Sequence, residues 1–222
     1  MLGLRGAAAA LLCLLVAGNA MAMSMEIVDD QVILSGEVAR GDYNKFLSLI
    51  NQNAAVKTVI LRDSPGGDSR TGYDIGTMIR SRGLNTAVSG YCRSSCSRMF
   101  LGGVQRQFAD DQPVGKTHVG FHGNYETGGR NNAAALEMLR KYIVDHSDGK
   151  ADVELVNRWT AIAQPSGFIY FFDSNRLRRN DKATVFLCTG DEAKRYDDCE
   201  KIPKTGYDLG IFTSSALVTP KK

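Results

Sequence analysis

Residues 88–103 read VSGYCRSSCSRMFLGG. Thr86, Ala87, Val88 and Ser89 make a β-type run that meets Gly90, and the apolar residues Met99, Phe100 and Leu101 follow a Ser/Cys cluster. The spacing predicts a strand, a sharp turn and a helix starting at about Ser94. A serine there lies beside backbone N–H groups without intrahelical partners, at the positive end of the dipole. An oxyanion formed beside it would be stabilised. The plainer role for Ser94 or Ser95 is to cap the helix, so a base and an oxyanion site must come from elsewhere in the chain.

Upstream, residues 56–62 (VKTVILR) read as a buried strand and 63–68 (DSPGGD) as a loop rich in breakers. Residues 69–82 read as a helix packing through Tyr73, Ile75, Met78 and Ile79, ended by Gly83. Residues 84–89 form the next strand. A β-loop-α-β-turn-α unit predicts parallel strands with a right-handed crossover. The loops at 64–67 and 90–94 then open at the same edge, the carboxyl ends of adjacent strands, where open α/β sheets hold their sites.

Further out, residues 26–38 read as a hairpin or two short strands. Gly41-Asp42 opens a helix with Phe46, Leu47, Leu49 and Ile50 on its apolar side. Residues 106–109 and 117–122 (THVGFH) are predicted strands, and 123–132 is a polar, glycine-rich mobile loop. Residues 133–144 and 151–163 are predicted helices, 168–172 an aromatic strand, and 173–179 a short helix capped by Asp173. Residues 184–188 are a last strand before an irregular extension.

The chain has 222 residues. Residues 1–22 read as a signal peptide: a single charge, Arg5, an apolar stretch, and Ala20-Met21-Ala22 as a cleavage site. Residues 23–180 are then the main domain and 181–222 a C-terminal extension. The formal net charge of +3 is too weak to argue for nucleic acid or an anionic membrane. Arg176-Leu177-Arg178-Arg179 reads as a solvated helix face. Of five cysteines, Cys13 lies in the leader. An even set behind an export signal suggests disulfides, and sequence proximity suggests Cys92–Cys96 and Cys188–Cys199. Across one helical turn, the first pair would span a Cα separation of about 6 Å.

A serine hydrolase needs a nucleophile, a base and oxyanion donors. Gly66-Gly67 can bring a backbone N–H against a substrate without a side chain in the way. No lysine-serine or lysine-threonine pair follows, so this is no phosphate loop. Among the histidines, His146 reads as solvated at a helix end, His118 lies back in its strand, and His122 sits at the strand end beside the glycine-rich loop. His122 is the favoured base.

Ser64-Pro65-Gly66-Gly67, then Gly90-Tyr91-Cys92-Arg93-Ser94, then Gly120-Phe121-His122 resembles the proteolytic subunit of Clp protease and its Clp/crotonase-like superfamily, over about residues 26–163. The resemblance implies an α/β fold with a parallel-stranded βαβ spiral core and a helical insert. It implies Ser94 as nucleophile, His122 as general base, and an oxyanion hole from the N–H groups of Gly67 and Ser95. It implies a peptide or protein substrate, self-association and no cofactor. Cys92, Arg93 and Ser95 depart from the family pattern, and no Gln-Pro follows His122. Residues 166–169 hold no carboxylate where the family's aspartate falls; Asp173 is the nearest. The expectation is a periplasmic or secreted serine peptidase with a Ser94–His122 dyad, free of the membrane after leader cleavage. The alternative is an inactive binding or scaffold protein on the same fold. Arg93 is either a surface charge or a rim residue that attracts a carboxylate. A zinc site from Cys92, Cys96, His118 and His122 is disfavoured by spacing, since the two histidines stand about 13 Å apart along one strand.

Overall fold

A computed structural model describes residues 22–125, 132–190, 192 and 196–221. The expected leader, apart from Ala22, lies outside the described residues, as does most of the glycine-rich loop. The fold is mixed α/β. The first elements among the described residues form a hairpin, β1 (Ser24–Val28) and β2 (Gln31–Val38), turned at Asp29. Helix α1 (Asp42–Gln52) buries Phe46 and Ile50. Strand β3 (Thr58–Gly67), helix α2 (Ser69–Ser81), strand β4 (Asn85–Arg93) and helix α3 (Ser95–Leu101) then follow in the expected order.

Strands β2, β3 and β4 are parallel and in register, with Val32, Val59 and Thr86 in one row and Leu34, Leu61 and Val88 in another. Alternation sends Leu34, Val59, Leu61 and Val88 into the main core and Ile33, Ile60 and Ala87 into a smaller cluster on the other face. Helix α2 seats Ile75 and Ile79 in that main core, fully buried. Each contributes about 1.5–3 kcal/mol of apolar burial.

Two strands run further than their sequence suggests. Strand β3 continues through the Pro-Gly-Gly segment, and β4 passes Gly90 and ends at Arg93. The reason is a pair of nested irregularities. Asp63 has φ 45° and Gly90 has φ 74°. Register breaks there, and pairing resumes as Ser64 with Cys92 and Gly66-Gly67 with Glu37-Val38. A Cβ on Gly90 would stand 2.0 Å from the Asp63 carboxylate, so only glycine fits.

The kink also forks the sheet. The first half of β4 pairs with β5 (Arg106–Ala109), and the second half pairs with β6 (His118–Phe121). Beyond β6 the sheet turns antiparallel through β7 (Phe168–Phe172), β8 (Val185–Cys188) and β9 (Glu200–Lys201). Strand β10 (Leu217–Val218) returns parallel to β5. The pairs β2–β3, β3–β4, β4–β5, β4–β6 and β5–β10 are parallel, and the antiparallel ones are β1–β2 and those from β6 to β9. Arg106, wholly buried, donates to the carbonyls of Gly103, Gly210 and Ile211 and pairs with Asp148. These bonds fasten the tail to the sheet.

Helices α4 (Ala133–Asp145) and α5 (Val153–Thr160) are N-capped by the side chains of Asn132 and Asp152. No helix forms at 173–179. Asp173 instead accepts from the Asn175 N–H and the Arg176 side chain, which closes a turn. Nor is the arginine-rich run a solvated helix face, because Arg176 also donates to the Ala109 carbonyl and Arg179 pairs with Asp181 and Asp197. Both disulfides join the neighbours in sequence. Their Cα separations are 5.2 Å for Cys92–Cys96 and 4.7 Å for Cys188–Cys199. The first is shorter than a helical turn because Cys92 belongs to β4, not to the helix. Among the described residues no helix is long and apolar enough to cross a membrane.

Candidate active site

Ser94 joins β4 to α3 with φ 55° and ψ −124°, a backbone conformation rare for a residue with a side chain. Its hydroxyl makes no capping bond to the helix. The Pro-Gly-Gly segment packs directly against it. A Cβ built on Gly66, whose φ is 93°, would fall 2.6 Å from the Ser94 Cβ and 2.9 Å from the Ser95 nitrogen. The extension of β3 past residue 62 is what brings this segment there. Ser95 opens α3, where its N–H is not consumed by the helix. Its own hydroxyl is buried with no partner among the described residues.

His122 follows the end of β6, and its Nε2 lies 2.6 Å from Ser94 Oγ. The ring stacks on Phe168 at 4.5 Å between centroids and leans on Tyr125 at 5.2 Å. Burial, and secondarily the positive charge of Arg98, lower its pKa to about 3. The imidazole is therefore neutral near pH 7 and able to accept the serine proton. Its Nδ1 is buried with no hydrogen-bond partner among the described residues. Nothing there steadies an imidazolium, which is the work of the acid in a triad.

Asp173 does not come to the site. The pairing of β6 with β7 sets His118 opposite Phe172 and Phe121 opposite Ile169. Asp173 thus lies past the His118 end of the strands, more than ~13 Å along them from His122, and it pairs with Arg176.

The other histidines have different partners. His118 Nδ1 lies 2.9 Å from the Lys116 carbonyl, and its Nε2 accepts from Arg93 Nε at 2.9 Å. Burial, then the charge of Arg93, lower its pKa to about 3. His146 is half-buried rather than solvated. Its ring stacks on Tyr142 at 4.0 Å and Nδ1 lies 2.8 Å from the Tyr142 carbonyl. Cys92 and Cys96 are wholly buried and bonded to each other on either side of Ser94. They are not thiolates, so the set Cys92, Cys96, His118 and His122 cannot act as a zinc tetrad.

Sequence reasoning missed Arg98 and Asn124. Arg98 is 2% exposed, forms no ion pair among the described residues, lies over the Tyr73 ring at 4.9 Å and donates to Asn124 Oδ1. The available signal was position. Arg98 is one helical turn after Ser94, and Asn124 is two residues after His122.

No protein-family model and no curated protein matches the chain. Among solved structures it is similar to a point mutant of ClpP1 from Listeria monocytogenes. The match has 16% identity and a TM-score of 0.45, and covers 59% of this chain and 78% of the other. Similarity of that order bears on neither activity nor substrate.

Proposed function

We propose that the chain is an exported serine peptidase of the Clp proteolytic-subunit type, acting through a Ser94–His122 dyad. The observation that carries this reading is the 2.6 Å contact between Ser94 Oγ and His122 Nε2, made by residues from two separate strand ends. Ser94 Oγ attacks the peptide carbonyl carbon as its proton passes to His122 Nε2. The N–H groups of Gly67 and Ser95 receive the oxyanion. Collapse breaks the C–N bond, and Nε2 returns the proton to the departing amine. Water then repeats the sequence to free Ser94. The chemistry needs no cofactor.

The motif order Ser64-Pro65-Gly66-Gly67, Gly90 to Ser94, and Gly120 to His122 supports a spiral core of the Clp/crotonase kind. The leader sequence supports a periplasmic or secreted location, and paired cysteines suit an oxidising compartment. A peptide or protein substrate and self-association belong to the same reading. A second reading, an inactive binding or scaffold protein, is favoured by His122 Nδ1, which has no hydrogen-bond partner among the described residues. A fluorophosphonate probe separates the two. The peptidase reading expects labelling of wild type and of Ser95→Ala and none of Ser94→Ala. An unlabelled, folded wild type, or label retained by Ser94→Ala, overturns it.

A further inference from the structure

A cleft of about 480 Å³ is lined by Arg93, Ser166, Tyr170, Glu192, Tyr196 and the Cys188–Cys199 disulfide, among others. Arg93 directly precedes Ser94, and its register partner on β6 is Gly120, whose partner on β7 is Tyr170. Register partners share a sheet face. Gly120 has no side chain, and a Cβ there would stand 3.2 Å from the Tyr170 ring and 3.3 Å from Arg93 Cγ. The row Arg93–Gly120–Tyr170 therefore forms a floor. His122 is two residues further along the same face of β6, about 7 Å away. Phe168, against which it stacks, is two residues from Tyr170 on β7. An extended chain lying in the cleft thus reaches His122 within about two residues.

The floor carries a cation held in place. Arg93 Nε donates to His118, and the guanidinium lies 4.9 Å from the Tyr91 ring and 5.6 Å from the Tyr170 ring. Tyr196, which also lines the cleft, interacts with the same guanidinium. His118 is a neutral acceptor, and no carboxylate among the described residues forms an ion pair with Arg93. Glu192, the one described carboxylate lining the cleft, accepts from the N–H groups of Thr189 and Gly190 and from the Thr189 hydroxyl. A planar cation with unspent donors between aromatic walls suits a carboxylate.

We infer that this cleft is the specificity subsite of the peptidase and binds a carboxylate of the peptide substrate beside the scissile bond. The inference rests on the peptidase reading for the word substrate, but the binding it claims is measurable without hydrolysis. The carboxylate is either an acidic side chain or a free C-terminus, and the test separates these sources. Fluorescein-labelled peptides are titrated against Ser94→Ala protein by anisotropy, with an internal Glu or Gln and with an acid or amide C-terminus. The expected result is at least tenfold tighter binding of one carboxylate form over its neutral counterpart. Arg93→Gln on the Ser94→Ala background should erase the preference, and Arg93→Lys should retain part of it. Equal binding of acidic and neutral peptides, or a preference that survives Arg93→Gln in protein with an unchanged melting curve, overturns the inference. If Arg93→Gln does not fold, Arg93→Lys decides: an undiminished preference counts against the subsite, a reduced one for it. A preference present without fluorophosphonate labelling of wild type overturns only the peptidase reading.

Discussion

The backbone of Ser94 is held at φ 55° and ψ −124°, outside the wells that L-residues favour. Residues kept there cost of order 1–3 kcal/mol. Two substitutions separate this strain from the loss of the hydroxyl. Ser94→Ala keeps the Cβ, and with it the strain, and loses the bond to His122. Ser94→Gly loses the same bond and releases the strain, against about 0.5–1 kcal/mol of extra chain entropy in the unfolded state. The glycine variant is therefore expected to be more stable than the alanine variant by about 1 kcal/mol, or roughly 2–4 °C in Tm for a chain of this size. Urea unfolding followed by the fluorescence of Trp159, the chain's one tryptophan and 1% exposed, measures the difference at constant m. Neither variant should take the fluorophosphonate label. An alanine variant as stable as the glycine variant, or more so, would show that Ser94 is not strained and refute the reasoning.

Three further outcomes are expected. His118 and His122 stay neutral in the fold down to about pH 3, whereas unfolded histidine takes its proton near pH 6.5. Stability should therefore fall as pH drops through that window, by up to about 2.7 kcal/mol per pH unit for the pair, and probe labelling should show no inflection near pH 6.5. Flat stability between pH 6.5 and 4, followed by urea, would contradict this. Gly66→Ala, whose Cβ would collide with the Arg93 carbonyl and the Ser94 Cβ at 2.6 Å each, should abolish labelling, read by gel fluorescence against wild type. Replacing Cys188 and Cys199, which are 11 residues apart, by alanine should cost about 3 kcal/mol of stability in a denaturant melt.

The order of elements and the three segments of the site were legible in the sequence because hydrophobic period and breaker residues are local properties. The unbroken apolar runs of residues 32–34 and 59–61 mark strands covered on both faces. Gly66, Gly90 and Ser94 mark where the chain must bend, and cysteines four and eleven apart suggest their own pairing. What the bends do was decided by the tertiary structure. Residues 63–67 and 90–93 look like loops by composition, yet they are strand because their neighbours offer pairing partners on both sides. That extension, and the handover of β4 from β5 to β6, is what sets His122 against Ser94. The same register carries Asp173 away to the far end of β7. The burial of Arg98 and the neutrality of His118 have no local signature, since a buried charge and a neutral imidazole depend on what packs around them. A one-dimensional pattern specifies which face a side chain takes, whereas distance between side chains follows from strand register, and register is settled only when the whole sheet assembles.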